Sequence, residues 1–216
     1  MTYLAAHPAR VAALAAAHLE LVGVALAAAL LVAVPLGLWA ARRRNVAPWL
    51  LGTLGAIYTI PSLALLAVLV EWFGLGYTPI FVALVVYAQF MLARNVVAGI
   101  NGVDRAQVDA ARGLGMSPPQ ILLRVEFPLA LPVLIGGVRI AAIAMISIAT
   151  LGGYVGGVGL GVLIFNGLTL HQPQMIVAGS LAACALAIAV DAALRFAEAK
   201  TRPSTPLRMP RGGFSK

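Results

Sequence analysis

Charge is absent over four long stretches of this chain. Residues 21–41, 45–70 and 72–93 contain no Asp, Glu, Lys or Arg, and each is long enough for the ~20 residues a bilayer crossing needs. A fourth uncharged stretch, 140–190, is too long for one crossing. Its Gly- and Pro-containing part, 152–173, divides it into helices over about 128–151 and 174–195. The pattern predicts an all-α integral membrane protein of about five transmembrane helices. Residues 1–18 read as an external segment whose Ala-rich sequence suits a short helix on the outer surface. Residues 19–196 read as the membrane domain, and 197–216, rich in Pro and Arg, as a disordered tail. Pro35 predicts a kink in the first span, tolerated where neighbouring helices cover the freed carbonyl.

Composition agrees: 62% of the 216 residues are hydrophobic and 10% charged, against roughly 25% charged in soluble domains. The net charge of +8 raises nucleic-acid binding as a possibility, but the placement of the charges argues against it. Three segments hold 13 of the 15 basic residues: Arg42–Arg44, the stretch from Arg94 to Arg124, and the stretch from Arg195 to Lys216. With five spans all three fall on one side of the membrane, and the positive-inside rule makes that side cytoplasmic. The N-terminus is then outside and the C-terminus inside. The first apolar block is longer than the 7–15 residues of a signal-peptide core, is preceded by Glu20 and ends at Arg42–Arg44, so no cleaved leader is expected. A lone cysteine, Cys184, gives neither an intrachain disulfide nor a zinc site. Trp49, Trp72 and Tyr77 sit where interface anchors are expected. His7, His18 and His171 read as solvated or interfacial.

The largest predicted cytoplasmic loop, 95–127, reads as a helical hairpin. Asp104 followed by Gln107 is a capping box, and Gly113 and Gly115 can end the helix it starts. Ser117 followed by Gln120 is a second box, with Pro118 at the first helical position. On the opposite side, residues 152–161 are apolar yet hold six glycines. That composition suits a re-entrant or gate-like segment facing protein or a cavity better than a packed helix or a solvated loop.

The loop carries Asp109-Ala110-Ala111, then Gly115 six residues on from the acid, then Val125, Phe127 and Pro128. This resembles the EAA loop of ABC-type importer permeases, with Asp in place of Glu and Phe127 in place of Leu at unchanged spacing. The resemblance continues over residues 18–202, in Thr59-Ile60-Pro61-Ser62-Leu63, Val103-Asp104, Arg112-Gly113-Leu114-Gly115-Met116, Gly137-Val138-Arg139 and Ala149-Thr150-Leu151. These look like the osmoprotectant branch, whose members import glycine betaine, choline or carnitine. The resemblance implies a type I importer fold with a coupling-helix hairpin formed by Asp109, Ala110, Ala111, Gly115, Met116, Ser117 and Pro128. It also implies a second permease copy or a related permease, two cytoplasmic ATPase subunits and an extracytoplasmic substrate-binding protein.

No P-loop and no complete G-x-G-x-x-G occurs, and the two lysines, Lys200 and Lys216, follow the last span. ATP and its Mg are therefore expected on a partner, with no cofactor on this chain. No aromatic cage for a quaternary ammonium is visible in the sequence. Tyr58, Thr59, Pro61 and Ser62 are candidates for the translocation path, because a mid-span proline frees carbonyls; a packed kink is the alternative. Thr150, Gly153 and Gly157 are candidate gate residues. Arg139 falls near the middle of its span, where a charge costs about 2.5–3.5 kcal/mol. It reads either as a pathway residue or as a structural ion partner, with Asp191 the expected counter-charge. A cargo of amino acids such as methionine, or an ATP-independent carrier, are the rival readings.

Overall fold

The computed structural model describes residues 2–43 and 45–201, and all regular structure among them is helical. A short α1 (Thr2–Ala6) leads into α2 (Pro8–Ala41), which runs for 34 residues. Next come the bent pair α3 (Val46–Tyr58) and α4 (Ser62–Phe73), and then α5 (Tyr77–Asn101). A hairpin of α6 (Arg105–Gly113) and α7 (Pro118–Ile121) passes through a π turn (Leu122–Glu126) into α8 (Phe127–Ala149). A 3-10 turn (Thr150–Val155), α9 (Gly161–Thr169) and α10 (Pro173–Thr201) complete the described chain.

Four helical stretches are long and apolar enough to cross a bilayer, Pro8–Ala41, Tyr77–Asn101, Pro118–Val155 and Pro173–Thr201, and the α3–α4 pair makes a fifth if taken as one span. Where the sequence places one span with a proline inside it over 45–70, the pair bends by 86° between Tyr58 and Ser62. Pro61 has no N–H to continue the ladder and disfavours helical backbone at Ile60. At ~1.5 Å per residue the two arms are about 20 and 18 Å long, each shorter than a ~30 Å hydrocarbon core.

The expected surface helix within 1–18 is also not what forms. From Pro8 onward the segment belongs to α2, and Val11 is buried with Leu160, Leu163 and Met175 while Tyr3, Leu4 and Leu14 pack around them. Apolar residues at helical spacing extend the buried face back from the span, and a continuous helix leaves no exposed break in its hydrogen bonds. Residues 95–101, expected in the loop, end α5, and 197–201, expected in the tail, end α10. The rest of the expected tail lies outside the described residues.

The core sits among α2, α5 and α8. Leu21, Ala25, Ala29, Ala33 and Gly37 recur every fourth residue along α2, and Gly137, Ala141, Met145 and Ala149 do the same along α8; all are buried. Such stripes of small residues let helix backbones approach closely, which is how helices associate where lipid supplies no hydrophobic drive. A Cβ on Gly37 would lie 2.6 Å from the Val96 Cβ, and one on Gly137 would overlap Asn95. α5 is therefore gripped from both sides. Gly37→Leu and Gly137→Leu are each expected to cost about 1–3 kcal/mol of stability by overpacking. Gly23→Leu, at a position with nothing within 4 Å, should leave the thermal midpoint of the detergent-solubilised protein unchanged.

Candidate functional site

The hairpin forms at the end of the bundle where α2 and α5 finish; the Ser117–Gln120 box closes as the sequence suggests, whereas Asp104 caps its helix through Ala106 and not through a box with Gln107. The Asp104 side chain accepts from the Ala106 N–H at 2.9 Å. In the second turn the Ser117 N–H donates to the Gln120 side chain at 2.8 Å, closing that box. Gly115, at φ +78°, makes the reversal between the helices, whereas Gly113 lies inside α6. Ala111 is 5% exposed and packs inward, while Ala110 is exposed and Leu114 is 83% exposed. Met116 is half-buried and Pro128 opens α8. The pair Ala110–Ala111 is thus divided: one alanine seats the helix, the other faces outward.

Asp109 and Arg112 pair at 2.9 Å on the surface of α6. Both line a cavity of about 830 Å³ between α6 and the ends of α2, α3 and α5, shared with Arg105, Arg42 and Glu126. Arg42 and the buried Glu126 form a two-pronged ion pair, with Nη1 donating to Oε1 at 3.0 Å and Nη2 contacting Oε2. This ties the end of α2 to the π turn that joins the hairpin to α8. The hairpin is thus joined to α2 as well as to α8. Sequence reasoning missed Glu126, because Arg42 reads there only as part of a topology signal.

The second candidate group sits at the α3–α4 bend. Thr59 donates its hydroxyl to the Ala56 carbonyl at 2.7 Å, satisfying its own helix as the packed-kink alternative requires. Thr59, Ile60 and Pro61 are nevertheless exposed, and Ser62 begins α4 without a side-chain cap. The Tyr87 hydroxyl reaches across from α5 and donates to the Ile60 carbonyl at 2.6 Å. Tyr58 packs edge-on to Tyr87 with ring centroids 5.8 Å apart, and against Phe90 at 5.5 Å. Three aromatic rings therefore cluster where the sequence showed no cage. Tyr87 and Phe90 share a helix face by spacing, but nothing in the sequence brings Tyr58 to them.

The glycine-dense segment is the third, and it is a knot packed against protein. A Cβ on Gly161 would overlap the Thr150 carbonyl, one on Gly153 would overlap Gly161, and one on Gly157 would lie 2.8 Å from the Gly152 carbonyl. Here glycine serves close approach of backbone to backbone. His18 locks the knot. Its Nε2–H donates to the Ile146 carbonyl at 3.0 Å, and its Nδ1 accepts from the Leu160 N–H at 3.3 Å. Gly159, at φ +98°, leaves room for the ring. The expectation of a solvated His18 is corrected: the ring is fully buried, whereas His7 and His171 are exposed.

Arg139 lies apart from both groups, between α8 and α10. Its Nη1 donates to Asp191 at 3.3 Å, and its Nε lies 3.5 Å from Glu198. Asp191 also receives Arg195 at 2.8 Å, one turn along α10. The expected Asp191 contact is present within a wider ion cluster, in which Glu198 and Arg195 were not foreseen. The geometry fits the structural reading of Arg139. The candidate path and gate residues thus fall in three places, not one site.

The fold is a bundle of membrane-length helices with an exposed, capped hairpin at one end. The chain belongs to the family of binding-protein-dependent transport system inner membrane components, whose model matches residues 33–203, and is a permease subunit of an ABC importer. The choline transport system permease protein OpuBB of Bacillus subtilis (strain 168) is 39% identical over 192 residues, covering 89% of this chain and 88% of that protein. The carnitine transport permease protein OpuCB of Listeria monocytogenes is 37% identical, with 84% of each chain covered. The glycine betaine/carnitine/choline transport system permease protein OpuCB of Bacillus subtilis (strain 168) is 38% identical, with 86% of each covered. Among solved structures, the MetNI methionine ABC transporter has a chain that superposes with a TM-score of 0.80 at 19% identity, covering 91% of this chain and 99% of that one. That likeness shows the fold.

The ion cluster makes a direct prediction. Arg139→Ala and Asp191→Ala should each lower folded yield in the membrane, and the double variant should lose less than the two losses added, since each single change unbalances the cluster although Asp191 keeps Arg195 and Arg139 keeps Glu198. Folded yield is read by fluorescence-detected size-exclusion chromatography, and losses that simply add would contradict the pairing.

Proposed function

We propose that the chain forms the translocation path of an ATP-driven importer for compatible solutes such as glycine betaine, choline or carnitine. The observation that carries the importer mechanism is the hairpin: capped at both helices and turned at Gly115, it presents Ala110 and Leu114 outward as a rigid surface. An ATPase subunit that binds this surface moves α2 and α8 together through the Arg42–Glu126 pair. Asp109, Ala110, Ala111, Gly115, Met116, Ser117 and Pro128 make up the coupling element in this reading. ATP and Mg are held by two such ATPase subunits. The cargo reading rests on the relatives, whose names between them give choline, carnitine and glycine betaine.

A second permease copy, or a related permease, completes the path, and a substrate-binding protein delivers cargo at the end that carries the glycine knot. With the hairpin in the cytoplasm, the N-terminus lies outside and the C-terminus inside, as the positive-inside rule requires. Only a difference in contacts between the two facing states can couple hydrolysis to transport. In this scheme the bend at Tyr58–Ser62 and the knot at Thr150, Gly153 and Gly157 are the parts that line and close the path. A methionine-like cargo has in its favour only the fold likeness to the methionine transporter.

The test is uptake of labelled glycine betaine, choline and carnitine by cells lacking other importers and supplied with the permease, its ATPase and its binding protein. Ala110→Trp places bulk on the outward face of α6 without straining the turn, and should abolish uptake and reduce ATPase co-purification by at least tenfold. Undiminished uptake by Ala110→Trp would contradict docking at this face. ATP-dependent uptake of methionine in place of the three solutes would change the cargo.

A further inference from the structure

We infer that Tyr58 and Phe90, with Tyr87 behind them, form a cation–π station within the membrane for the trimethylammonium group of the cargo. The inference rests on the cargo class proposed above and assigns it a site on this chain. A quaternary ammonium keeps its charge at every pH, so it cannot cross an apolar slab by losing a proton. Between residues 45 and 93 the only ionisable acid is Glu71, near the far end of α4. No carboxylate is therefore available along the bend to offset the charge. An aromatic face can do so, because its π cloud attracts a cation within about 6 Å of the ring centre.

The rings are placed for this task. Tyr58 ends α3 at the bend, and Phe90 packs against it at 5.5 Å with 30° between the ring planes. Both residues are half-buried. Tyr87 is 3% exposed; it meets Tyr58 edge-on and anchors the bend through its hydroxyl to the Ile60 carbonyl. Tyr87 is thus a positioning residue, and Tyr58 and Phe90 are the binding surface. Phe90 is also held from below, since a Cβ on Gly55 would touch its ring at 3.3 Å. The exposed Thr59, Ile60 and Pro61 beside the rings open the bend to whatever passes it.

The experiment uses the full complex of permease, ATPase and binding protein in liposomes, with labelled choline as the probe. Tyr58→Leu and Phe90→Leu should lower the maximal uptake rate on the order of 10-fold, whereas Tyr58→Phe and Phe90→Tyr should stay within about twofold. Because a leucine variant can also fail by misfolding, Phe90 is replaced in parallel by mono-, di- and trifluorophenylalanine. Fluorine drains the negative ring face while hardly changing its size, so uptake should fall stepwise with each fluorine. Transport by the wild type with a flat fluorine series would overturn the station and leave the cargo assignment standing. A wild-type complex that hydrolyses ATP but carries none of choline, glycine betaine and carnitine would overturn the cargo assignment and the station with it.

Discussion

The close contact of α5 with α2 on one side and α8 on the other is the constraint from which the rest of the bundle follows. In lipid, helices gain nothing from hiding apolar surface, so they associate through dispersion contact between well-fitted surfaces. The every-fourth-residue stripes on α2 and α8 supply that fit, with Gly37 beneath Val96 and Gly137 beneath Asn95. Among the polar groups of this core, the Gln89 amide N–H donates to the Ala29 and Val85 carbonyls while its Oε1 is buried without a partner, and Asn95 donates to the Met91 carbonyl. The result is a three-helix frame against which the remaining elements are positioned.

Two knots of opposite character close the ends of that frame. At the glycine-rich end, the 3-10 turn and the start of α9 meet backbone to backbone, and His18 joins them to α2 and α8 with both ring nitrogens engaged. At the basic end, Arg42 and Glu126 join α2 to the π turn leading from the hairpin. The first is held by backbone contact and a buried His18, the second by an ion pair beside a cavity of about 830 Å³. A transporter that alternates its access needs a stiff frame with hinges at its ends, and packed interfaces switch between discrete arrangements instead of deforming smoothly. The bent α3–α4 pair lies outside the frame, on α5, and keeps exposed backbone at its corner.

The order of the apolar stretches, the hairpin with its helix starts, and the family are legible in the sequence. Each of these is written locally: uncharged length sets a span, Asp104 and Ser117 set helix starts, and Gly115 sets a reversal that few other residues adopt. The sequence also located the bend, since Pro61 must interrupt a helix, but not its 86° angle, which depends on how α3 and α4 lie against α5. Tertiary structure alone decided the roles of His18, Glu126, Tyr87 and Phe90. Their partners lie 128, 84 and 27 residues away for the hydrogen bonds of the first three, and no local pattern encodes such distances. The glycines of 152–161 show the same divide. Composition makes them look mobile, because glycine permits many conformations; packing makes them rigid, because only glycine lets Thr150, Gly153 and Gly161 come so close.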